Sequence, residues 1–324
     1  MVEELKLKDK KLLYNLDFNA RMSLTQIAKS IGVSKQVAKY NIEKLAKDKI
    51  IQGFYTDINS SKIGQTIYLV YIKFQSISPL KYEEFIKHIE KQEGVGINTS
   101  INGKWDHCIG IWAKTIIHFK KKYIEIMKNY EKFVKEKSVM IETDFHYFKP
   151  KQILNEKSEK VIEMGGDIEE YELDEKDKII LSLISKDARI SLVDIAHKVK
   201  MSANAVKLRL AKLEKDKVIL GYRVMINYAL LGFIHYRVFL HLDSSTEELE
   251  KTRTNFLKTC KEVISVTRTI GYCDLEFRAI VKNLQEYYDL IKKLREVFPT
   301  QIKDVEFIIY YKFYESLNYF PFVK

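Results

Sequence analysis

With 324 residues the chain is long enough for two or three domains, each burying its own core. Apolar residues at 46% and charged residues at 31%, with four prolines and twelve glycines, exclude a disordered or collagen-like chain. The net charge of +11 favours a polyanionic partner, and three cysteines without C-x-x-C spacing offer neither a disulfide framework nor a cysteine-rich zinc site.

Residues 1–64 open with helical periodicity in Leu12, Leu13 and Leu16. Ser23 is placed to cap a second helix carrying Ile27 and Ala28, and a turn at Ile31-Gly32-Val33 leads to Ser34, the cap of a third. That third helix turns Ala38, Ile42 and Leu45 inward and leaves Lys35, Gln36, Lys39, Tyr40 and Lys44 outside. A short strand over Ile50-Ile-Gln-Gly-Phe-Tyr55 follows and reads as a wing, which completes a winged helix-turn-helix. Residues 65–149 alternate: strand 66–75, helix 79–92, strands 95–102 and 106–113, helix 115–136, strand 138–148. The order βαββαβ is ferredoxin-like. Residues 150–172, with Pro150 and Gly165-Gly166, read as a linker with room for a short helix.

Sliding the chain by 168 residues repeats all of this. Ala20-Arg21 meets Ala188-Arg189, Ser34 meets Ser202, Lys47-Asp48-Lys49 meets Lys215-Asp216-Lys217, and Gly103 and Asp106 meet Gly271 and Asp274. Residues 173–232 are therefore a second winged helix-turn-helix, with Ile180, Leu181 and Ile184 in its first helix and Ser191 and Ser202 as caps. Its third helix packs through Val206, Leu210 and Leu213 and exposes Ala203, Asn204, Lys207 and Arg209. Residues 233–324 form a second βαββαβ unit ending in an aromatic strand, Ile308-Ile-Tyr-Tyr-Lys-Phe-Tyr314, and a plug at Tyr319-Phe-Pro-Phe322. The fold class is α+β, a tandem duplication of two two-domain copies, and the aromatic strands at 66–75 and 233–242 are the candidates for joining them.

Charge follows the duplication. Residues 1–64 and 173–232 each hold twelve basic and seven acidic residues, whereas 65–172 balances to zero. A surplus confined to the two helix-turn-helix segments is the footprint of a nucleic-acid contact. The apolar stretch from Val224 to Leu242 is broken by Asn227, His235, Arg237 and His241, too polar for an unassisted membrane span. A polar N-terminus without a signal-like apolar run adds the expectation of a soluble, cytoplasmic protein.

These words in this order resemble the leucine-responsive (Lrp/AsnC) family of transcription regulators. The resemblance rests on Ser191-Leu-Val-Asp-Ile-Ala196, Ser202-Ala-Asn-Ala-Val206, Arg209-Leu-Ala-Lys-Leu-Glu214 and Val218-Ile-Leu-Gly-Tyr222, on their first-copy counterparts, and on Gly103-Lys-Trp-Asp106 and Gly271-Tyr-Cys-Asp274. The family's usual recognition-helix arginine is kept as Arg209 but is Asn41 in the first copy, and the tandem form departs from the usual one copy per chain.

The resemblance implies double-stranded DNA as partner, with Ser34, Lys35, Gln36, Lys39, Tyr40, Lys44, Ser202, Asn204, Lys207 and Arg209 at the interface. Gln36 and Asn204 stand where side chains reach base edges, and the cations position phosphates. It also implies an amino-acid-like effector near Gly103, Trp105, Asp106, Gly271, Tyr272 and Asp274, and a homo-oligomer of chains that are each a covalent pseudo-dimer. No cofactor, metal or catalytic group is expected, and the chain is expected not to be an enzyme. The alternative is a siroheme-type tetrapyrrole decarboxylase of the same architecture, motivated by the cluster His235-Tyr236-Arg237, on a strand one face of which carries His235, Arg237, Phe239 and His241; the cluster is not duplicated in the first copy.

Overall fold

The computed structural model of the protein describes residues 5–154, 160–244 and 246–313; the aromatic run 319–322 lies outside them. Each helix-turn-helix is built from three helices: α1 (Leu7–Leu16), α2 (Leu24–Ile31) and α3 (Lys35–Lys47) in the first copy. Ser23 accepts the Gln26 amide while the Gln26 side chain returns to the Ser23 amide, a capping box, and Ser34 caps α3 through the Val37 amide. Leu12, Leu13, Leu16, Ile27, Ala28, Ala38 and Leu45 are buried together, and Ile42 packs against them half-covered.

The strand after α3, β1 (Ile51–Ile58), does not fold back as a wing. It pairs antiparallel with its equivalent in the second copy, β7 (Ile219–Ile226), with Tyr55 opposite Arg223. A lone strand leaves a row of amides and carbonyls unpaired, and the other copy offers an equivalent lone strand to pair with it. The ribbon is dressed symmetrically: Ala20 N donates to Tyr222 O at 2.8 Å and Ala188 N to Phe54 O at 3.0 Å. Arg21 reaches the Ala188 carbonyl and Arg189 the Ala20 carbonyl. Offsets of 168 within each pair mark a pseudo-two-fold axis through the ribbon.

The first effector unit runs β2 (Thr66–Phe74), α4 (Pro79–Glu90), β3 (Val95–Gly103), β4 (His107–Ala113), α5 (Ile116–Met127) and β5 (Val134–Phe148). Helix α5 stops nine residues short of the expected 136, because 134–141 are needed as the ladder partner of β2. The stretch 150–172 is more than a linker: after α6 (Lys151–Leu154), β6 (Val161–Gly165) pairs with β5. The second copy follows with α7 (Glu175–Lys186), α8 (Leu192–Val199) and α9 (Ala203–Lys215) before β7, then β8 (Ile234–Leu242), α10 (Glu247–Thr259), β9 (Val263–Gly271), β10 (Leu275–Val281), α11 (Leu284–Val297) and β11 (Ile302–Phe313). Among the described residues no helix is long and apolar enough to cross a membrane.

The copies are not joined by β2 and β8, as the aromatic pattern suggests; those are inner strands, pairing with β4 and β5, and with β10 and β11. Each copy's long last strand crosses instead. β5 pairs with β2 through 134–141 and then with β9 through 140–147, while β11 pairs with β8 through 302–309 and with β3 through 308–313. The ladder β2-β4-β3-β11-β8-β10-β9-β5 closes back on β2, an antiparallel barrel shared by both copies. The helices cover its outside, with Tyr68 stacked on Phe119 and the equivalent Tyr236 on Tyr287, both at 4.5 Å. Leu69, Tyr71, Trp105, Cys108, Met140, Phe239 and Ile308 fill part of the inside.

Two buried polar groups tie the frame together. Arg223 on β7 donates to Asp17 at 2.9 Å and to Asp57 at 3.1 Å, with the arginine and Asp17 almost wholly covered. Removing one partner of a buried pair leaves a charge uncompensated. Arg223→Leu should therefore cost about 3–5 kcal/mol in urea unfolding, and adding Asp17→Leu should restore part of it. Equal losses in the single and double variants would show that the pair does not act as a unit.

His107 is fully buried, 2.7 Å from the Asn98 side-chain oxygen through Nε2 and 2.9 Å from the Tyr82 hydroxyl through Nδ1. Burial pushes its pKa down to about 3. The unfolded chain binds a proton near pH 6.5 that the folded chain refuses, so this stability is present above that pH and is lost as pH falls toward 3. Replacing His107 with leucine, the residue at its second-copy equivalent Leu275, should lower Tm at pH 7 yet shrink the drop between pH 7 and 4.5 in calorimetry. An unchanged drop would place the acid sensitivity elsewhere.

Candidate functional site

The third helices carry their expected faces outward. On α3, Lys35, Gln36, Lys39 and Tyr40 are exposed, and Lys44 is half-buried. Lys39 pairs with Glu43 at 3.7 Å, a solvated pair worth little. On α9, Asn204 and Lys207 are exposed, and Ser202 caps the helix through the Ala205 amide. Arg209 differs from the expectation. Its Nη1 lies 2.6 Å from Asp174 and 2.7 Å from Asp177, at the start of α7, so it ties two helices together and is not a free cation. The first-copy equivalents of these three residues are Asn41, Lys6 and Asp9, which cannot repeat the tie.

The Gly-x-x-Asp loops meet across the pseudo-axis, with the Trp105 and Tyr272 rings 5.5 Å apart. Gly103 and Gly271 adopt φ of +133° and +111°, and a Cβ at either would strike a carbonyl of the crossing strand, Phe307 or Val139. The carboxylates are engaged. Asp106 accepts the Phe74 amide at 2.8 Å and the Lys73 ammonium at 2.7 Å, and Asp274 accepts the Leu242 amide at 2.7 Å. Trp105 is fully buried. Gly103, Trp105, Asp106, Gly271, Tyr272 and Asp274 thus build the seam where the strands cross.

The open space lies elsewhere, between the ribbon and the barrel. A cavity of about 120 Å³ is lined by Tyr55, Asp57 and Arg223 from the ribbon, and by Glu142, Arg278 and Tyr310, among others, from the barrel. Sequence reasoning missed these residues because they come from different strands. The available signal was a charge at positions whose 168-residue equivalents carry none. The histidine-arginine face does point into the barrel, but Arg237 is paired with Glu276, with Glu142 at 3.0 Å and with the Tyr310 hydroxyl at 3.1 Å. His235 lies against the Tyr310 ring, 4.6 Å between centroids, and burial with help from Arg278 and Arg237 pushes it down to about 3, so it stays neutral. Burial also pushes the Cys108 and Cys273 thiols up to about 12, away from nucleophilic chemistry.

Residues 5–52 and 173–219 each match a winged helix-turn-helix DNA-binding family. An uncharacterised HTH-type transcriptional regulator of Pyrococcus furiosus is 34% identical over 125 residues, which is 38% of this chain and 80% of that protein. The HTH-type transcriptional regulator LrpA of Pyrococcus horikoshii is 46% identical over 61 residues, 19% of this chain and 43% of that one. Among solved structures, the siroheme decarboxylase NirDL superposes with a TM-score of 0.60 over 96% of both chains at 15% identity. This match overturns the expectation that the chain is not an enzyme, as one the fold could support, since the same arrangement serves an enzyme; at that identity it establishes the shared fold alone. The chain belongs to the Lrp/AsnC family of HTH-type transcription regulators, in a form that fuses two copies in tandem.

Proposed function

We propose that the protein is a sequence-specific regulator that binds duplex DNA in the cytoplasm through α3 and α9 together, and that its chains associate further into a homo-oligomer. The observation that carries this reading is the pair of capped third helices, each with an exposed amide and lysine on its first two turns: Gln36 with Lys35 and Lys39, and Asn204 with Lys207. Duplex DNA presents a negative charge about every 1.7 Å of axis, and lysines that replace its counterions gain affinity from their release. Gln36 and Asn204 suit bidentate contacts to adenine, one in each half-site. Because Tyr40 faces outward where the second copy has Leu208, the two half-sites differ, and the target is an imperfect palindrome.

Duplex affinity should fall steeply with salt, and Lys39→Ala with Lys207→Ala should flatten the log–log slope by roughly 2 units, about 0.9 for each lost phosphate contact. A folded double variant with the wild-type slope would remove these helices as the contact surface. In selection from random duplexes, Gln36→Ala and Asn204→Ala should each relax one half-site, on the order of 1–3 kcal/mol of discrimination. Retained preference in both would reassign the base contacts.

A second reading, tetrapyrrole decarboxylation, draws on the whole-chain likeness to NirDL and on Arg223 and Arg278 at the cavity. The space of about 120 Å³ is too small for a macrocycle without the ribbon lifting. A shifted absorbance band on adding an iron-uroporphyrin, with carbon dioxide released on turnover, would favour it over the regulator.

A further inference from the structure

Neither helix-turn-helix completes its core alone. Ile58, on β1 of the first copy, is buried in one cluster with Ile180, Ile184, Val206 and Leu210 of the second, joined by Ala20 from the first-copy turn. Its equivalent Ile226, on β7, is buried with Leu12, Leu16, Ile27 and Leu45 of the first copy. Each motif thus takes the other's strand into its core, and the Thr56 hydroxyl adds a hydrogen bond to the Ile184 carbonyl at 2.6 Å. Two domains on a flexible tether share no core. These share a ribbon that neither can leave without exposing apolar surface.

The path from the ribbon to each third helix has no slack. Lys49 and Lys217 stand at φ of +60° and +57°, and the amides of the next residues, Ile50 and Val218, return to the Leu45 and Leu213 carbonyls at 3.0 and 2.9 Å. A left-handed residue followed by such a bond is a tight helix stop. Across the ribbon, Asn59 N donates to Val218 O and Asn227 N to Ile50 O, both at 2.9 Å. The foot of each third helix is therefore bonded to the far end of the other copy's strand.

Two arginines close the opposite side. Arg21 and Arg189 are equivalent residues, in the turns between α1 and α2 and between α7 and α8, and they cross between the copies. Arg21 donates to the Ala188 carbonyl at 2.7 Å; Arg189 donates to the Ala20 carbonyl and reaches that of Met22 at 3.3 Å. Each guanidinium also lies against a ring of the other copy, Arg21 5.4 Å from the centre of Tyr222 and Arg189 5.4 Å from that of Phe54. The Tyr222 hydroxyl donates to Glu214 on α9 at 2.5 Å, so a first-copy arginine bears on the second copy's third helix through one ring. A planar fork that bonds and stacks at once is a property of arginine that lysine lacks.

We propose that Arg21 and Arg189 are positioning residues that hold α3 and α9 at one separation and orientation, so that the protein accepts its two half-sites at a single spacing. The spacing rests on the DNA-binding reading; the fixed separation does not. One added base pair moves a half-site by about 3.4 Å and turns it by about 35° around the duplex. A rigid pair of helices then loses one of its two contacts, whereas tethered domains follow the shift.

Two measurements on the full chain test this, the first without DNA. Spin labels at Glu43→Cys and Ala211→Cys occupy equivalent exposed positions on α3 and α9, and Cys108, Cys260 and Cys273 are buried. Electron–electron double resonance should give one narrow distance, which widens in Arg21→Gln with Arg189→Gln while circular dichroism is unchanged. On duplexes enriched by selection from random sequence, moving one half-site by a base pair should weaken wild-type binding about tenfold. In the double variant the same shift should cost less than about threefold, with affinity for an isolated half-site unchanged. Arg21→Lys with Arg189→Lys, which keeps the charge and loses the fork, carries the same expectations and replaces the glutamine pair if that pair does not fold. A broad distance in the wild type, an equally narrow one in the folded variant, wild-type tolerance of several spacings, or an unrelaxed spacing in the variant would overturn the proposal. Failure to select any duplex, beside a narrow distance that the variant widens, removes the DNA-binding reading and leaves the arginine clasp standing.

Discussion

A four-stranded ferredoxin-like sheet has two edges, and in this protein neither copy covers its own. The free edge of β3 is paired by β11, and that of β9 by β5, each a last strand long enough to serve its own sheet first and the other copy's afterwards. Exposed edges are a standing invitation to wrong pairing, and closure removes them. Everything else follows from that exchange. It fixes the copies about one axis, encloses an interior that belongs to both, and brings the helix-turn-helix domains close enough for their lone strands to pair as a ribbon.

Within this symmetric frame the residues are free to differ, because a fused chain encodes its two halves separately. Where packing is the requirement, symmetry is kept, as in the Tyr68–Phe119 and Tyr236–Tyr287 stacks and the crossed contacts of Arg21 and Arg189. At the axis it is broken. Arg223, Arg237, Arg278 and Glu276 come from the second copy, and Asp17, Asp57 and Glu142 from the first, each at a position whose equivalent in the other copy carries no charge. A homodimer would carry each of these charges twice.

The same divergence bears on the two ends of the molecule. Arg209 is tied to Asp174 and Asp177, which stiffens the second helix-turn-helix and removes a cation from its outer face, while the first keeps lysines there. The Gly-x-x-Asp loops do the same backbone work in both copies: the glycine admits a crossing strand, and the aspartate receives an amide of its own sheet. Sharing a fold with a decarboxylase does not transfer chemistry, since architecture and reaction are separable.

The sequence by itself determined what depends on neighbours along the chain. Ser23, Ser34, Ser191 and Ser202 cap their helices because a cap needs only the next three residues, and the alternation of His235, Arg237, Phe239 and His241 placed one strand face correctly. The 168-residue repeat made the two-copy order legible for the same reason. Where a segment's fate depends on a distant partner, local pattern misled. Residues 134–136 read as the end of a helix but are strand because β2 waits for them, and β1 reads as a wing but pairs with β7. The cavity beneath the ribbon was decided by tertiary structure alone: Asp57, Glu142, Arg223 and Arg278 come from four strands of both copies and line one space only once the barrel has closed beneath the ribbon.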